Sequence, residues 1–286
     1  MTGRNNRPLV TIGLFLRNEG RFVRQSLQSL QAQDYGNLEI IVSDNCSTDD
    51  TDAICRELGA GDERVKYERQ ETNIGATANF IRVLDRASGK YFMWASGHDL
   101  WAPDLVSKCV AALQAHPGAA LAYASSTWIA ADGAALNKES GWYDTRGMDA
   151  IGRFFMTFWG NQHPVLGLIR TKYLRDLPKI HACAGSDQII LTELALRGDF
   201  IHVPDSSWSR RAQRGMEMHE ERIRRYTSEE FGLTGSWLDR RLPLIRIPLE
   251  MMRAIYRSRL SILEKLAMWI ALPPAFVLRY LAGRKS

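Results

Sequence analysis

Residues 38–51 read LEIIVSDNCSTDDT, an apolar run that turns polar within one step. Leu38 to Val42 is short, β-branched and nearly all apolar, as a strand buried on both faces requires. From Ser43 onward the residues are those that turns and helix starts use. Ser47 with Asp50 three positions on is capping-box-like, so a helix is expected to begin at Ser47. The same order recurs on either side. Upstream, Leu9 to Leu16 (LVTIGLFL) predicts a strand, and Arg21 to Gln31 a helix with Phe22, Val23, Leu27 and Leu30 as its core stripe. Downstream come a weaker strand at Val65 to Glu68 and a helix at Ala76 to Ala87, with Phe80, Ile81 and Leu84 inward and Gly89 as its stop. A strand at Tyr91 to Trp94, a helix at Asp104 to Ala115 halted by His116-Pro117-Gly118, and a strand at Leu121 to Ser125 complete the series. Strands alternating with helices imply an α/β fold with a mainly parallel, Rossmann-like sheet and flanking helices. Such sheets bind ligands beyond the carboxyl ends of their strands, so chemistry is expected after Leu16, Val42, Glu68 and Trp94.

The rest of the chain is less regular. Met148 to Phe158 predicts a helix, Val165 to Arg170 a strand, Asp187 to Arg197 a helix and Phe200 to Val203 a short strand. With 45% apolar and 24% charged residues among 286, the chain can bury a full core and shows neither low complexity nor repeats. Cys46, Cys55, Cys109 and Cys183 are widely spaced without a CxxC pair, which argues against a zinc site or disulfide framework and for a reducing compartment. Met1 to Pro8 is polar and lacks the apolar segment of a secretory leader, so a cytoplasmic setting is expected.

Several residues stand where chemistry is expected. Asp44 lies at the end of the second strand, where its carboxylate could accept hydrogen bonds from a base or ribose. Ser47 and Asp49 are read as turn and cap residues. Asn73, Gly75 and Asn79 follow the third strand; a glycine there lets backbone approach a ligand, although Asn-x-Gly before a helix also serves ordinary loops. After the fourth strand, Ser96-Gly97-His98-Asp99 offers a station for a divalent ion and a diphosphate, or else a solvated loop. His163 is either a loop histidine or a contact to a bound ligand. Arg210, Arg211 and Arg214 form either a basic turn or a clamp for leaving-group charge.

DNCSTDDT after LEIIVS, the NIG…N segment and GKYFMWASGHDLWAP together resemble the nucleotide-binding half of family 2 glycosyltransferases with the GT-A fold. The resemblance covers about residues 8 to 205. It implies an inverting enzyme that moves a sugar from a nucleotide diphosphate, a UDP-sugar by preference, to a hydroxyl acceptor. It implies that Asp44 holds the uracil or ribose, with Phe15, Asn18, Asn73, Gly75, Asn79, Asp99 and Arg211 as further donor contacts. It also implies Mn²⁺ or Mg²⁺ at Asp99. The family's Asp-x-Asp-Asp cluster is Ser96-Gly97-His98-Asp99 here, so His98 would be the second ligand, and an imidazole favours Mn²⁺. Asp187 matches the family's Glu-Asp motif, whose aspartate is the general base; Ser186 replaces the glutamate. From the residues alone, Asp187 could equally be an acid favoured at a helix N-terminus.

The net charge of +5 is uneven. Arg210 to Ser286 carries a net +8 and the remainder −3. A catalytic domain is therefore expected over 1–209, its nucleotide-binding half about 8–126 and its acceptor half about 127–209. A basic, amphipathic helical tail is expected over 210–286. From Trp237 onward apolar and basic residues interleave, and the last apolar stretch, Leu266 to Leu278, is too short to span a bilayer and contains Pro273-Pro274. A helix pair lying in the membrane interface fits, suiting a peripheral enzyme with a lipid-linked acceptor in polysaccharide or glycolipid synthesis. The alternative is a helical subdomain packed on the catalytic domain or on a second copy in a homo-oligomer. No nucleic acid is expected as a partner. Two other functions remain open: a nucleotidyltransferase, against which the Phe15-Leu16-Arg17-Asn18-Glu19-Gly20 loop speaks, and a non-catalytic membrane adaptor of the same fold.

Overall fold

The computed structural model describes residues 7–178, 185–212 and 244–282. Strands β1 (Val10–Leu16), β2 (Leu38–Asp44), β3 (Val65–Arg69) and β4 (Tyr91–Ser96) form a parallel set in the order β3-β2-β1-β4. Every residue of β2 and β4 is buried, as their unbroken apolar runs demand. In-register pairing brings the strand ends together: Leu16 lies opposite Asp44, Asp44 opposite Arg69, and Phe15 opposite Ser96. Helices α1 (Val23–Gln31), α2 (Thr51–Ala60) and α4 (Leu105–Ala115) cover one face. Helices α3 (Ala76–Asp85), α6 (Thr171–Arg175) and α7 (Ser186–Ala195) cover the other.

The second half continues the sheet as β8-β6-β9-β5, with β7 (Ala135–Glu139) paired to β6. Long strands β6 (Ala119–Ile129) and β9 (Asp199–Arg211) run parallel, while β5 (Leu100–Trp101) and β8 (Leu168–Arg170) are antiparallel to their neighbours. The strand expected over 200–203 is therefore much longer. Pro204-Asp205-Ser206 reads as a turn, but the sheet absorbs it as an irregularity between the pairs Ala124–Val203 and Ser125–Ser207. Strand β9 also runs past the expected domain boundary at 209.

Two further expectations change. Helix α2 begins at Thr51, not Ser47, because Ser47 is bonded back to Asp44. The segment from Val165 starts inside a 3-10 turn, His163–Leu166, before β8.

Helix α5 (Ala150–Trp159) shares a third core with the tail helices α8 (Arg246–Arg257) and α9 (Ile262–Phe276). Phe154 and Phe158 meet Ile247, Met251 and Ile255 of α8 and Met268, Leu272 and Phe276 of α9. Ser261 and Glu264 form a capping box at the start of α9. Pro273 and Pro274 lie inside α9, whose end widens into a π turn over Val277–Ala282. Among the described residues no helix is long and apolar enough to cross a membrane.

Candidate active site

The carboxyl ends of β1, β2 and β4 meet at one edge, where the loops after β1 and β2 are stapled together. The Asn18 N–H donates to Ser47 Oγ at 2.9 Å, Thr48 N–H to Asn18 Oδ1 at 2.9 Å, and Gly20 N–H to Asp49 Oδ2 at 2.9 Å. Asn18 and Cys46 adopt positive φ, 54° and 58°, to make these turns. Asp44 lies where expected, but its carboxylate is closed off. Oδ1 accepts the Ser47 N–H at 2.9 Å and the Ser47 hydroxyl, and Oδ2 accepts the Tyr67 hydroxyl at 3.0 Å, with Arg69 Nε 3.7 Å away. Asp44 is 0% exposed, so Tyr67 and Arg69, which the sequence did not flag, stand between it and solvent.

Asn73 Oδ1 takes the Asn45 amide at 2.7 Å and the Gly75 N–H at 3.0 Å, while Gly75 sits at φ 85°. These bonds shape a loop. Asn79 departs from its expected donor contact more clearly. It is buried, donates to Leu16 O at 3.3 Å and Ser43 O at 2.9 Å, and accepts from Ser43 Oγ at 2.6 Å. It ties the ends of β1 and β2 and has no open face. Phe15 is half-buried with its ring edge-on to Phe80 at 5.3 Å.

Asp99 is nearly buried. Oδ2 accepts the Ser96 hydroxyl at 2.5 Å, and Oδ1 accepts the Arg211 backbone N–H at 2.9 Å. His98 Nδ1 is 2.9 Å from Glu19 Oε1, and Nε2 is 3.9 Å from Asp99 Oδ1. Burial opposes charge on His98, but Glu19 and Asp99 more than offset it and raise its pKa above the ordinary value. A gap of 3.9 Å between imidazole nitrogen and carboxylate oxygen is within two bonds of about 2.1 Å to one Mn²⁺ or Zn²⁺-sized ion. Among the described residues no group of three His, Cys, Asp or Glu side chains forms a fuller cage. The donors fit an ion that takes its remaining ligands from a diphosphate and water.

Strand β9 brings in residues from the second half of the chain. Arg210 and Arg211 are neighbours on a strand, so their side chains leave on opposite faces. Arg211, expected as a donor contact, is spent internally: it donates to His98 O at 2.9 Å, Ala131 O at 3.0 Å and Gln25 Oε1 at 2.9 Å. Arg210 faces the crevice. Its guanidinium lies 4.5 Å over the Trp128 ring and 5.7 Å from Trp208, and it donates to His163 Nε2. Burial pushes the His163 imidazole down to about 3, helped by Arg210 and Lys138, so it stays neutral and accepts that bond. Arg214 and Cys183 lie outside the described residues; Cys46, Cys55 and Cys109 are free thiols.

Asp187 occupies the first turn of α7, half-buried, and its carboxylate accepts no hydrogen bond from the described residues. Burial pushes its pKa up, and the nearby Arg210 partly offsets this. Arg210 feels both Asp99 and Asp187. Two carboxylates far apart in sequence thus act on one guanidinium. Gly185 turns the chain into α7 at φ 83°, where a Cβ would lie 2.6 Å from Ile247 Cδ1 of α8. Helix α8 therefore packs against the start of α7.

Residues 11–176 match the pattern described as glycosyl transferase family 2. The chain belongs to glycosyltransferase family 2. A putative teichuronic acid biosynthesis glycosyltransferase of Bacillus subtilis, TuaG, is 28% identical over 134 residues, 47% of this chain and 53% of its own length. The chain thus spans about half of that relative. Among solved structures, S. aureus TarS 1-349 in complex with UDP-GlcNAc superposes with a TM-score of 0.68 at 16% identity, over 95% of this chain and 73% of that one. The mannosyltransferase PcManGT from Pyrobaculum calidifontis, in complex with GDP-Man and Mn²⁺, superposes with a TM-score of 0.57 at 19% identity, over 97% and 82%. The architecture of the family 2 chain is the GT-A fold these structures share, here with C-terminal helices.

Proposed function

We propose that the protein transfers a sugar from a nucleotide-diphosphate donor, of the UDP class, to a hydroxyl acceptor with inversion at the anomeric carbon. The observation that carries this is Arg210, which faces the crevice over Trp128 and feels the charges of both Asp99 and Asp187. Asp187 takes the acceptor proton as the hydroxyl oxygen bonds to the anomeric carbon and the bond from that carbon to the diphosphate breaks. One displacement from the face opposite the leaving group inverts the centre. Arg210 lies where charge develops on the departing diphosphate, in a site screened from water by Trp128 and Trp208. Its half-buried position strengthens that interaction. Asp99, with His98 beside it, would hold a divalent ion, which when bound supplies further positive charge at the diphosphate. The stapled loops after β1 and β2 would seat the nucleotide, with Asp44 anchoring the turn and Tyr67 and Arg69 at its open side.

The acceptor we propose is lipid-linked, and the enzyme peripheral on the cytoplasmic face of a membrane. Support comes from α9, which exposes Ile262, Leu263, Leu266 and Ile270, and from the π turn after it, which exposes Val277 and Leu278, in a chain whose basic surplus lies in the same region. Trp269, partly exposed, suits an interfacial position.

Donor hydrolysis and transfer, measured with Asp99→Ala and Asp187→Asn, test the catalytic proposal. Both variants should fold and lose turnover. Near wild-type rates in either would reject the roles assigned, and a wild type with no turnover on any nucleotide sugar would favour a binding module of the same fold.

A further inference from the structure

The end of α7 away from Asp187 borders a second concavity. Asp187 and Arg197 are separated by roughly 15 Å of helix rise, so this place is distinct from the crevice. A cavity of about 440 Å³ opens there between α6, the end of α7 and the last turn of α8. Lys172, Arg197, Arg257 and Arg259 line it, against a single lining carboxylate, Asp176. Behind them the buried Glu193 accepts from both Arg197 and Arg257, the latter at 2.6 Å. Two cations are thereby matched to one carboxylate. Lys172 and Arg259 are exposed and have no carboxylate partner among the described residues. The cavity therefore carries a surplus of positive charge even after Glu193 and Asp176 are counted.

Its mouth also adjoins an apolar surface. Arg257 and Ser258 end α8, Ser261 caps α9, and the next residues are among the most exposed apolar side chains described: Ile262 at 74%, Leu263 at 75% and, one and two turns on, Leu266 and Ile270. A soluble anion would use the charges and leave this row idle. A molecule with a phosphate at one end and hydrocarbon at the other uses both.

We infer that this cavity is a headgroup site for an anionic phospholipid. The phosphate lies between Lys172 and Arg259, and the acyl chains follow the row that starts at Ile262. This rests on the membrane attachment proposed above, and fails separately from it. Full-length protein is floated with vesicles of phosphatidylcholine alone and of an equal mixture with phosphatidylglycerol. The variants compared are K172A/R259A in the cavity, I262S/L263S on α9, and R253A as a charge control on the exposed side of α8. Circular dichroism and donor hydrolysis confirm that each is folded. The expected result is that wild type prefers the mixed vesicles, and that K172A/R259A loses about tenfold or more of that preference while binding phosphatidylcholine as before. R253A should lose much less, and I262S/L263S should lose both kinds of binding. If K172A/R259A keeps the full preference while I262S/L263S is released, the headgroup site is overturned and the membrane attachment stands. If wild type binds neither vesicle, both are overturned. If inorganic phosphate raises the melting temperature of wild type but not of K172A/R259A, while vesicles show no preference, the cavity takes a free anion and the lipid assignment is overturned.

Discussion

Asp187 ties catalysis to stability. Its folded pKa is raised above the ordinary 3.8, so folding disfavours its ionised form. That penalty is complete above the raised folded value and absent below the unfolded one. Asp187→Asn removes it, so the variant should melt higher than wild type at about pH 7, with the difference closing as the pH falls toward the unfolded value. Turnover should drop by about 10² to 10⁴, the usual worth of a general base. Thermal melts across pH paired with transfer assays check both halves; a lower melting point at neutral pH would contradict a carboxylate whose ionised form folding disfavours. Arg210 holds the Asp187 pKa down. In Arg210→Ala the acid limb of the kcat profile should therefore move to higher pH, with kcat lower by about 10² to 10³. An acid limb that stays in place would separate Arg210 from Asp187. The sequence offered Arg210, Arg211 and Arg214 alike as a clamp, but which of Arg210 and Arg211 faces the crevice was not legible, because it depends on how far β9 extends.

At the scale of elements, the parallel half of the sheet was legible because its strands are unbroken apolar runs. Leu9–Leu16, Leu38–Val42 and Tyr91–Trp94 were read within a few residues of β1, β2 and β4. The mixed half was not. Pro204-Asp205-Ser206 disguises the length of β9, while β5 and β7 have too few apolar residues to register as strands. The site shows the same division. Positions beyond strand ends were found, but which side chains face inward was not, because Asn79, Asp44 and Arg211 satisfy buried polar groups that no linear pattern reveals. Asn79→Ala accordingly should destabilise the fold by about 1–3 kcal/mol, since it takes the acceptor from the buried Ser43 hydroxyl and a donor from the carbonyls of Ser43 and Leu16. Urea denaturation measures this. A change in donor KM with unaltered stability would instead restore Asn79 as a ligand contact.

For the whole molecule, the tail packs on the catalytic domain, one of the two arrangements its sequence allowed, and still leaves an apolar row uncovered. Ile247, Met251 and Ile255 pack it onto α5 and α7, while α9 keeps an apolar row outward. Leu263→Ser with Ile270→Ser should move the protein from the membrane to the supernatant fraction of a cell lysate without altering turnover on a water-soluble acceptor. Retention on the membrane would show that α9 is not the anchor. The most direct test of the crevice is a crystal structure with a UDP-sugar and Mn²⁺, read by the anomalous signal of the metal. The predicted result is one Mn²⁺ peak bonded to Asp99 and the diphosphate, the diphosphate against Arg210, and the anomeric carbon between it and Asp187. A nucleotide seated elsewhere, or one whose sugar lies away from Asp187, would contradict it.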